Sequence, residues 1–350
     1  MSQILTVIRP GEAPSERFAG TLQAALAGQP ARVLPRLTQP LPGARILFAV
    51  SLDRSGVNHG CCDVLAYLRT HPGCLQGCVG GILIDGAGDL YTKSVARELA
   101  FAANQAGCCL VGRPLVEATG DLRNFTVQAK NAGCSLTEAY CLAASDLVRR
   151  ILDFRPIRHR RPNLAVLHAS SHRTSNTLAL WEQVRRQLQD CCSIREIGLR
   201  NGTLEDCAGC PYTMCLHFGE RGGCFYGGVM VQEVYPAVRD ADGVLLLCPN
   251  YNDALSANLT ACINRLTALY RTTPFTDKAV FGIVVSGYSG GDIVASQLVS
   301  ALCMNKGFYL PPQSCLLETA NDAGSAMELP GIQDRLTDFA GGIRRQLCEE

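Results

Sequence analysis

A run of short hydroxyl and amide side chains, Ser170–Thr177, is the segment of this sequence best suited to hold a ligand. It follows the apolar run Leu164–His168 and precedes LALWEQVRRQL, whose apolar residues recur at helical spacing, so the pattern predicts strand, tight loop and helix. Free N–H groups at a helix N-terminus, together with hydroxyls and amides, suit a monophosphate. The segment has neither the lysine of a Walker loop nor the glycines of a dinucleotide fingerprint. An ordinary helix cap is the alternative.

Four cysteines have the spacing of a metal-ligand set. Cys207, Cys210, Cys215 and Cys224 follow the pattern C-x2-C-x4-C-x8-C in a Gly-rich stretch. Four thiolates on such a loop can close around a 4Fe–4S cluster, or around zinc with His217 replacing one thiolate. Reduced thiols without a metal are the third alternative, and the spacing leaves all three open. Many of the nineteen cysteines lie in adjacent pairs or apolar patterns, as expected for core residues in a reducing compartment.

Composition excludes several classes of function. A chain of 350 residues predicts two domains of ordinary size, and 47% hydrophobic residues with a formal net charge of +1 give no bulk attraction for nucleic acid. No apolar run approaches the roughly 18 residues of a membrane span. The N-terminus, MSQILTVIRPGE, has no signal-sequence pattern. We therefore expect a cytoplasmic protein that binds neither nucleic acid nor a membrane.

The sequence repeats itself on either side of a basic, proline-containing segment at 155–163. GILIDGAGDLYTKSVARELAFAANQAG from Gly81 parallels GIVVSGYSGGDIVASQLVSALCMNKG from Gly282, and VEATGD parallels LETAND at the same offset. Matching elements in the same order indicate a tandem repeat. We therefore expect two domains of one fold, residues 1–155 and 156–350.

Each half predicts five apolar strands that alternate with helices. They lie near residues 3–8, 31–36, 45–51, 80–85 and 108–112 in the first half, and near 164–168, 193–198, 243–248, 280–286 and 307–310 in the second. This alternation predicts an α/β fold class, two tandem doubly wound domains, each a five-stranded parallel sheet flanked by helices. Ligands of such sheets bind beyond the carboxyl ends of the strands, where the strand order reverses.

Three loops of the second half, each placed after a predicted strand, carry a family resemblance. Ser170–Thr177 follows the first strand, Pro249-Asn250-Tyr251-Asn252 with Ser256 follows the third, and Gly287-Tyr288-Ser289-Gly290-Gly291 follows the fourth. They are similar, in this order, to the phosphate loop, the loop beside the flavin ring and the Gly-rich loop of one family. From about Leu164 to Leu310 the chain thus resembles the flavodoxin-like NAD(P)H-dependent FMN reductases, which include iron–sulfur flavoproteins.

The resemblance implies FMN as cofactor, NAD(P)H as co-substrate, and electron transfer through FMN to a quinone or another small-molecule acceptor. It implies the following FMN-binding residues: Ser170, Ser171, His172, Arg173, Ser175, Asn176, Thr177, Pro249, Asn250, Tyr251, Asn252, Ser286, Gly287, Tyr288, Gly290 and Gly291. No catalytic side chain is implied, because the flavin carries the chemistry. It favours a 4Fe–4S cluster for the loop at 207–224. A non-enzymatic electron carrier or partner-binding scaffold of flavodoxin-like fold is the alternative.

The first half has lost the corresponding phosphate loop. Its segment Arg9–Glu16 lacks the SNT run and places Glu12 and Glu16 where a phosphate would lie. Acidic side chains at a helix start stabilise the helix but repel an anion. We expect residues 1–155 to be a degenerate copy without a flavin site. Because dimers of the family often complete the flavin site across subunits, we expect this copy to form an internal pseudo-dimer with the second, with or without further homo-oligomerisation.

Overall fold

The computed structural model describes residues 4–11, 14–170 and 174–349. The chain divides into two compact units, Met1–Arg155 and Pro156–Glu350. None of the helices within the described ranges has the length and hydropathy that a membrane crossing requires.

The first unit is a five-stranded parallel sheet in the order β2-β1-β3-β4-β5. Its strands are β1 (Leu5–Ile8), β2 (Ala31–Leu34), β3 (Arg45–Leu52), β4 (Val79–Gly86) and β5 (Cys109–Ala118). Its α-helices are α1 (Glu16–Ala25), α2 (His59–Thr70), α3 (Thr92–Gln105), α4 (Thr126–Ala132) and α5 (Leu136–Asp153).

The second unit has a parallel sheet of the same order, β7-β6-β8-β9-β10. Its strands are β6 (Asn163–His168), β7 (Ser193–Gly198), β8 (Gly243–Pro249), β9 (Ala279–Ser286) and β10 (Cys315–Thr319). Its α-helices are α6 (Asn176–Leu188), α7 (Tyr212–Gly219), α8 (Tyr235–Asp240), α9 (Ala257–Tyr270), α10 (Gly291–Leu298) and α11 (Ile332–Leu347). The predicted fold class, two five-stranded parallel sheets flanked by helices, is confirmed.

Central strands are apolar along their whole length because helices cover both faces of each sheet. Every residue of β9 is buried, and so is every residue of β8 except Pro249 at its end. The edge strands β2 and β7 are mostly exposed. Buried strands of parallel sheets read as continuous hydrophobic runs, which is why the sequence located the central strands well.

The fifth strand predicted for the second half, at 307–310, is wrong. Tyr309 makes only an isolated bridge to Ala279, and the fifth strand begins at Cys315. The run Phe308–Leu310 is apolar because it is buried in the core. Pro311 and Pro312 follow it and have no N–H to donate, so a strand ladder cannot continue there.

The strand order of the second sheet places a ligand-binding crevice at β6 and β8. The chain passes from β6 to β7 on one side and then crosses back to β8 on the other. The chain therefore leaves the carboxyl ends of β6 and β8 toward opposite sides of the sheet. Doubly wound sheets bind ligands at this reversal.

Candidate functional site

A cleft of about 370 Å³ lies at the carboxyl ends of β6, β8, β9 and β10. Eight of the residues implied by the resemblance line it: Ser170, Ser175, Asn176, Thr177, Pro249, Asn250, Tyr251 and Gly287. The three loops singled out in the sequence therefore meet at one cavity. Tyr251 is 57% exposed, so it forms part of the cleft wall and is not a core residue.

The other implied residues lie elsewhere. Among the described residues, Asn252, Ser286, Tyr288, Gly290 and Gly291 do not line the cleft. Ser286 is buried behind it, and the Tyr288 side chain is 83% exposed.

Three residues of the predicted phosphate loop cannot be compared with the cleft. Ser171, His172 and Arg173 lie outside the described residues. Glu12, which was expected to repel a phosphate in the first half, lies outside them as well.

Sequence reasoning missed a fourth wall of the cleft. Ala320, Asn321 and Ala323, in the loop after β10, also line it. The signal was the repeated segment LETAND, whose first three residues end the true fifth strand and whose last three begin this loop. Because the sequence predicted the fifth strand at 307–310, the loop at 320–323 was not expected at the carboxyl end of a strand.

The N-terminus of α6 opens on the cleft with unpaired donors. Ser175 caps the helix, since its Oγ accepts from the N–H of Leu178 at 3.4 Å and lies 2.8 Å from Oγ1 of Thr177. Within the described residues, the backbone N–H groups of Asn176 and Thr177 have no acceptor. Such N–H groups and the positive end of the helix dipole favour a bound anion.

The side chain of Asn176 is fully engaged within the protein. Its Nδ2 donates to the carbonyls of Ala320 (3.3 Å) and Asp322 (2.9 Å). Its Oδ1 accepts from the N–H groups of Gly324 (2.9 Å) and Ala326 (3.4 Å). The amide therefore fastens α6 to the loop after β10, and what this residue offers a ligand is its backbone N–H.

Asn250 brings a buried acceptor without a donor to the cleft. Its Nδ2 donates to the carbonyl of Ser289 at 2.9 Å and to Ser286 Oγ and Asp253 Oδ1, both at 3.2 Å. Its Oδ1 is buried and has no partner within the described residues. Leaving a buried polar atom unsatisfied costs about 1–3 kcal/mol, so a ligand that donates a hydrogen bond here would be favoured.

A tight turn shapes the loop after β8. Asn252 and Asp253 both have positive φ (54° and 57°), and Tyr251 and Ala254 bond across the turn. These are the dihedral signs of a type I′ turn, which favours Asn and Asp. Gly290 has φ of +81°, and a Cβ there would lie 1.9 Å from Asp253 Oδ1. The resemblance implied Gly290 as an FMN-binding residue; in the structure the absence of a Cβ there lets the two loops approach each other.

The four cysteines of the loop 207–224 line a second cavity, of about 180 Å³. Among the described residues, the only set of three or more potential ligand atoms within 4.8 Å of one another lies elsewhere, so these four sulfurs are more widely spread. Tetrahedral zinc, with Zn–S of about 2.3 Å, would hold its sulfurs about 3.8 Å apart. His217 contacts Arg221 and does not line the cavity. The four sulfurs are thus too far apart to bind one zinc ion together, and the cavity leaves room for a larger inorganic group.

Two arginines face this cavity without an acidic partner. Arg265 is 3% exposed and donates to the carbonyls of Gly227 (2.8 Å) and Glu205 (3.4 Å). Its buried Nε has no partner in the described part of the chain. The Arg271 guanidinium lies 4.4 Å from the centre of the Tyr212 ring. No carboxylate in the described ranges forms an ion pair with either arginine. Buried charge is costly unless it is neutralised, so the cavity favours an anionic occupant.

The first unit carries an ion pair at the corresponding edge of its sheet. Arg17, in the first turn of α1, donates Nε and Nη2 to the Asp85 carboxylate at 3.0 and 2.8 Å. The same guanidinium bonds the carbonyls of Gly86, Thr119 and Gly120. Hydrogen bonding to Asp85 raises the pKa of Arg17. In the second unit Ser286 ends β9 where Asp85 lies in β4, so a neutral hydroxyl replaces the carboxylate.

Comparison with known proteins gives a match to the second unit. Residues 162–322 match the family described as NADPH-dependent FMN reductase, which confirms the resemblance. Among solved structures, the chain is similar to an NADH:FMN oxidoreductase in its apo form, at 16% identity, over 54% of this chain and 91% of that chain, with a TM-score of 0.39. It is also similar to an NAD(P)H:quinone oxidoreductase from Methanothermobacter marburgensis, at 13% identity, over 54% and 100%, with a TM-score of 0.39. No curated protein sequence matches the chain.

Proposed function

We propose that the protein is a flavin-dependent NAD(P)H oxidoreductase, because residues 162–322 match the NADPH-dependent FMN reductase family, and that the cleft of its second unit is the FMN site. Electrons would pass from NAD(P)H through FMN to a small acceptor such as a quinone. The observation that carries this proposal is the meeting of three loops at one cleft, at the strand-order reversal of a parallel sheet.

The residues present fit FMN at both ends of the cofactor. For the phosphate, the cleft offers the N–H groups of Asn176 and Thr177 at the start of α6, which have no acceptor within the described residues, near the hydroxyls of Ser170 and Ser175. For the ring, which carries an N–H donor, it offers Asn250, whose buried Oδ1 has no partner within the described residues. A glycine at position 287 leaves this part of the wall free of a side chain.

FMN, when bound, supplies the hydride-accepting centre. The protein's part is binding and orientation, so no side chain has to act as general acid or base. The α6 N-terminus neutralises phosphate charge, and the loop anchored by Asn250 positions the ring. Tyr251 stands at the cleft wall, where its ring can cover one face of the flavin and exclude water.

Anaerobic purification followed by a visible spectrum tests the FMN assignment. We expect a yellow protein whose released cofactor is chromatographically identical to FMN, and bleaching of the flavin bands by NADPH or NADH. The rates at which a series of quinones reoxidise the reduced flavin then rank these quinones as electron acceptors. Colourless protein that also fails to bind added FMN would contradict the site.

We further propose that Cys207, Cys210, Cys215 and Cys224 bind a 4Fe–4S cluster that takes part in the electron transfer. Support comes from their shared cavity, their wide spacing, and the two arginines that would balance the negative charge of a thiolate-bound cluster.

Iron and acid-labile sulfide analysis tests the cluster separately from FMN. We expect equal amounts of iron and sulfide in anaerobically purified protein, and their loss in Cys210→Ala and Cys224→Ala. Cys62→Ala, at an exposed cysteine of α2, is the matched control and should keep them. A yellow protein free of iron after expression in iron-rich medium would overturn the cluster and leave the FMN site standing.

The domain arrangement is likewise a proposal. We infer that residues 1–155 form a flavin-free copy, because Glu16 lies in the first turn of α1 and the Asp85 carboxylate lies at the cleft end of its sheet. The internal pseudo-dimer, further homo-oligomerisation and a cytoplasmic location stay predictions.

A further inference from the structure

Three cysteines outside both sites converge at the C-terminal ends of two helices. Cys191 and Cys192 follow α6, and Cys348 follows α11. The sulfur of Cys192 lies 3.8 Å from that of Cys191 and 3.9 Å from that of Cys348. All three sulfurs lie within 4.8 Å of one another.

These separations are those of three thiolates around one metal ion. A metal about 2.3 Å from each sulfur, the length of a zinc–thiolate bond, holds three sulfurs about 4 Å apart in a trigonal plane. The observed distances of 3.8 and 3.9 Å need almost no rearrangement to reach this geometry. Neutral thiols that only pack in a core do not need to bring three sulfurs within 4.8 Å of one another.

The set has three members, which bears on the identity of the ion. Within the described residues, no fourth Cys, His, Asp or Glu belongs to the group. Structural zinc is almost always four-coordinate, whereas thiolates select soft Cu(I) among the ions that accept fewer ligands. The ligand number therefore favours Cu(I).

The surroundings disfavour free thiolates. The carbonyl of Leu188, in the last turn of α6, accepts from the N–H groups of Cys191 (3.1 Å) and Cys192 (2.8 Å) and lies 3.4 Å from the Cys191 sulfur. Cys348 is the C-cap of α11. The negative ends of both helix dipoles thus point at the cluster and disfavour free thiolates, so that deprotonation of the three cysteines requires a bound cation to offset part of the thiolate charge.

The three cysteines differ in burial. Cys192 is 2% exposed and Cys348 8% exposed, while Cys191 is only partly buried. An ion can therefore meet Cys191 first and then be enclosed by the other two sulfurs.

We propose that Cys191, Cys192 and Cys348 form a Cu(I) site, separate from the four-cysteine loop. Binding replaces three S–H bonds with three S–Cu bonds and releases three protons to solvent. No electron is transferred, since the copper enters and stays as Cu(I). This site does not depend on the FMN proposal.

Competition against a chromogenic Cu(I) chelator tests the proposal on the full-length, reduced protein under anaerobic conditions. The titration is made in the native sequence and in a background with all four loop cysteines changed to alanine, so that the two cysteine sets are counted separately. In both, Cys348→Ala should remove one tightly bound Cu(I) per chain and weaken binding at this site at least hundredfold. Cys61→Ala, at an equally buried cysteine of α2, is the matched control and should change neither number.

X-ray absorption of the one-copper protein provides the second measurement and does not rely on a variant that folds. We expect three sulfur neighbours at one distance. An unchanged number of tight Cu(I) ions in Cys348→Ala, or a copper with two sulfur neighbours, would overturn the three-cysteine site.

Discussion

Two asparagines of the cleft use their amides differently, although both occur in motifs typical of flavin loops. The side-chain amide of Asn176 is fully hydrogen-bonded within the protein, whereas the buried Oδ1 of Asn250 has no partner among the described residues. The sequence predicted both as ligands, because residue type and position along the chain cannot show which amide is already occupied. The occupied one depends on a loop 144 to 150 residues away.

Replacing Asn250 with alanine should weaken FMN binding at least tenfold. The substitution removes the open acceptor and the three hydrogen bonds that hold the loop to Ser286, Ser289 and Asp253. Fluorescence titration of the flavin-free protein with FMN measures the dissociation constant. Asn305→Ala, at an exposed asparagine outside the cleft, is the control. An unchanged constant in Asn250→Ala would show that this amide is not part of the FMN site.

Gly290→Ala should destabilise the second unit more than an ordinary left-handed glycine would. A non-glycine residue at positive φ costs about 1–2 kcal/mol, and here the new Cβ also collides with Asp253. Gly202→Ala is the matched control, because Gly202 has nearly the same φ (+79°) and nothing within 4 Å of the added carbon. Thermal unfolding should show the larger fall in melting temperature for Gly290→Ala. Equal falls would mean that the contact between the two loops is loose.

At the scale of elements, apolar runs in the sequence located the buried strands. The same signal gave a wrong strand where an apolar run is buried in the core without forming one. The core run Phe308–Leu310 has the composition of a buried strand, yet the prolines after it end any ladder. The true fifth strand, Cys315–Thr319, ends in the polar residues Glu318 and Thr319, so its sequence lacks the continuous apolar run by which the other strands were located. Glu318 is buried because Arg335 of α11 pairs with it at 2.7 Å, a partner that only the fold brings near.

Asn176→Ala should remove the hydrogen bonds that join α6 to the loop after β10, two of the elements that form the cleft. Its side chain makes four hydrogen bonds between α6 and the loop after β10, and each typical bond contributes about 0.5–1.5 kcal/mol. We therefore expect a lower melting temperature in the flavin-free protein, which the loss of a mere ligand contact would not cause. FMN affinity should fall as well, since the two walls lose their fixed spacing. Unchanged melting with weaker FMN binding would instead make Asn176 a direct ligand.

At the scale of the whole molecule, two sheets of the same strand order differ at the edge where ligands bind. The second unit has a neutral hydroxyl at the end of β9 and open N–H groups at α6. The first has the Arg17–Asp85 pair, with the Asp85 side chain 3% exposed. Because a broken buried pair leaves an uncompensated charge, this arrangement resists opening for a ligand.

The protein should therefore bind one FMN per chain. Equilibrium dialysis of the flavin-free, full-length protein against excess FMN gives the stoichiometry, and the Asn250→Ala and Gly290→Ala variants show which unit holds the cofactor. If the second unit provides the site, both substitutions lower the affinity of the single FMN and no other bound FMN takes its place. The first unit supplies the internal control, since Gly88→Ala, in the loop after β4 where an added carbon meets nothing within 4 Å, should leave the FMN affinity unchanged. Two FMN per chain, or one that persists with native affinity in both second-unit variants, would show that the ion-paired edge of the first sheet opens to flavin after all.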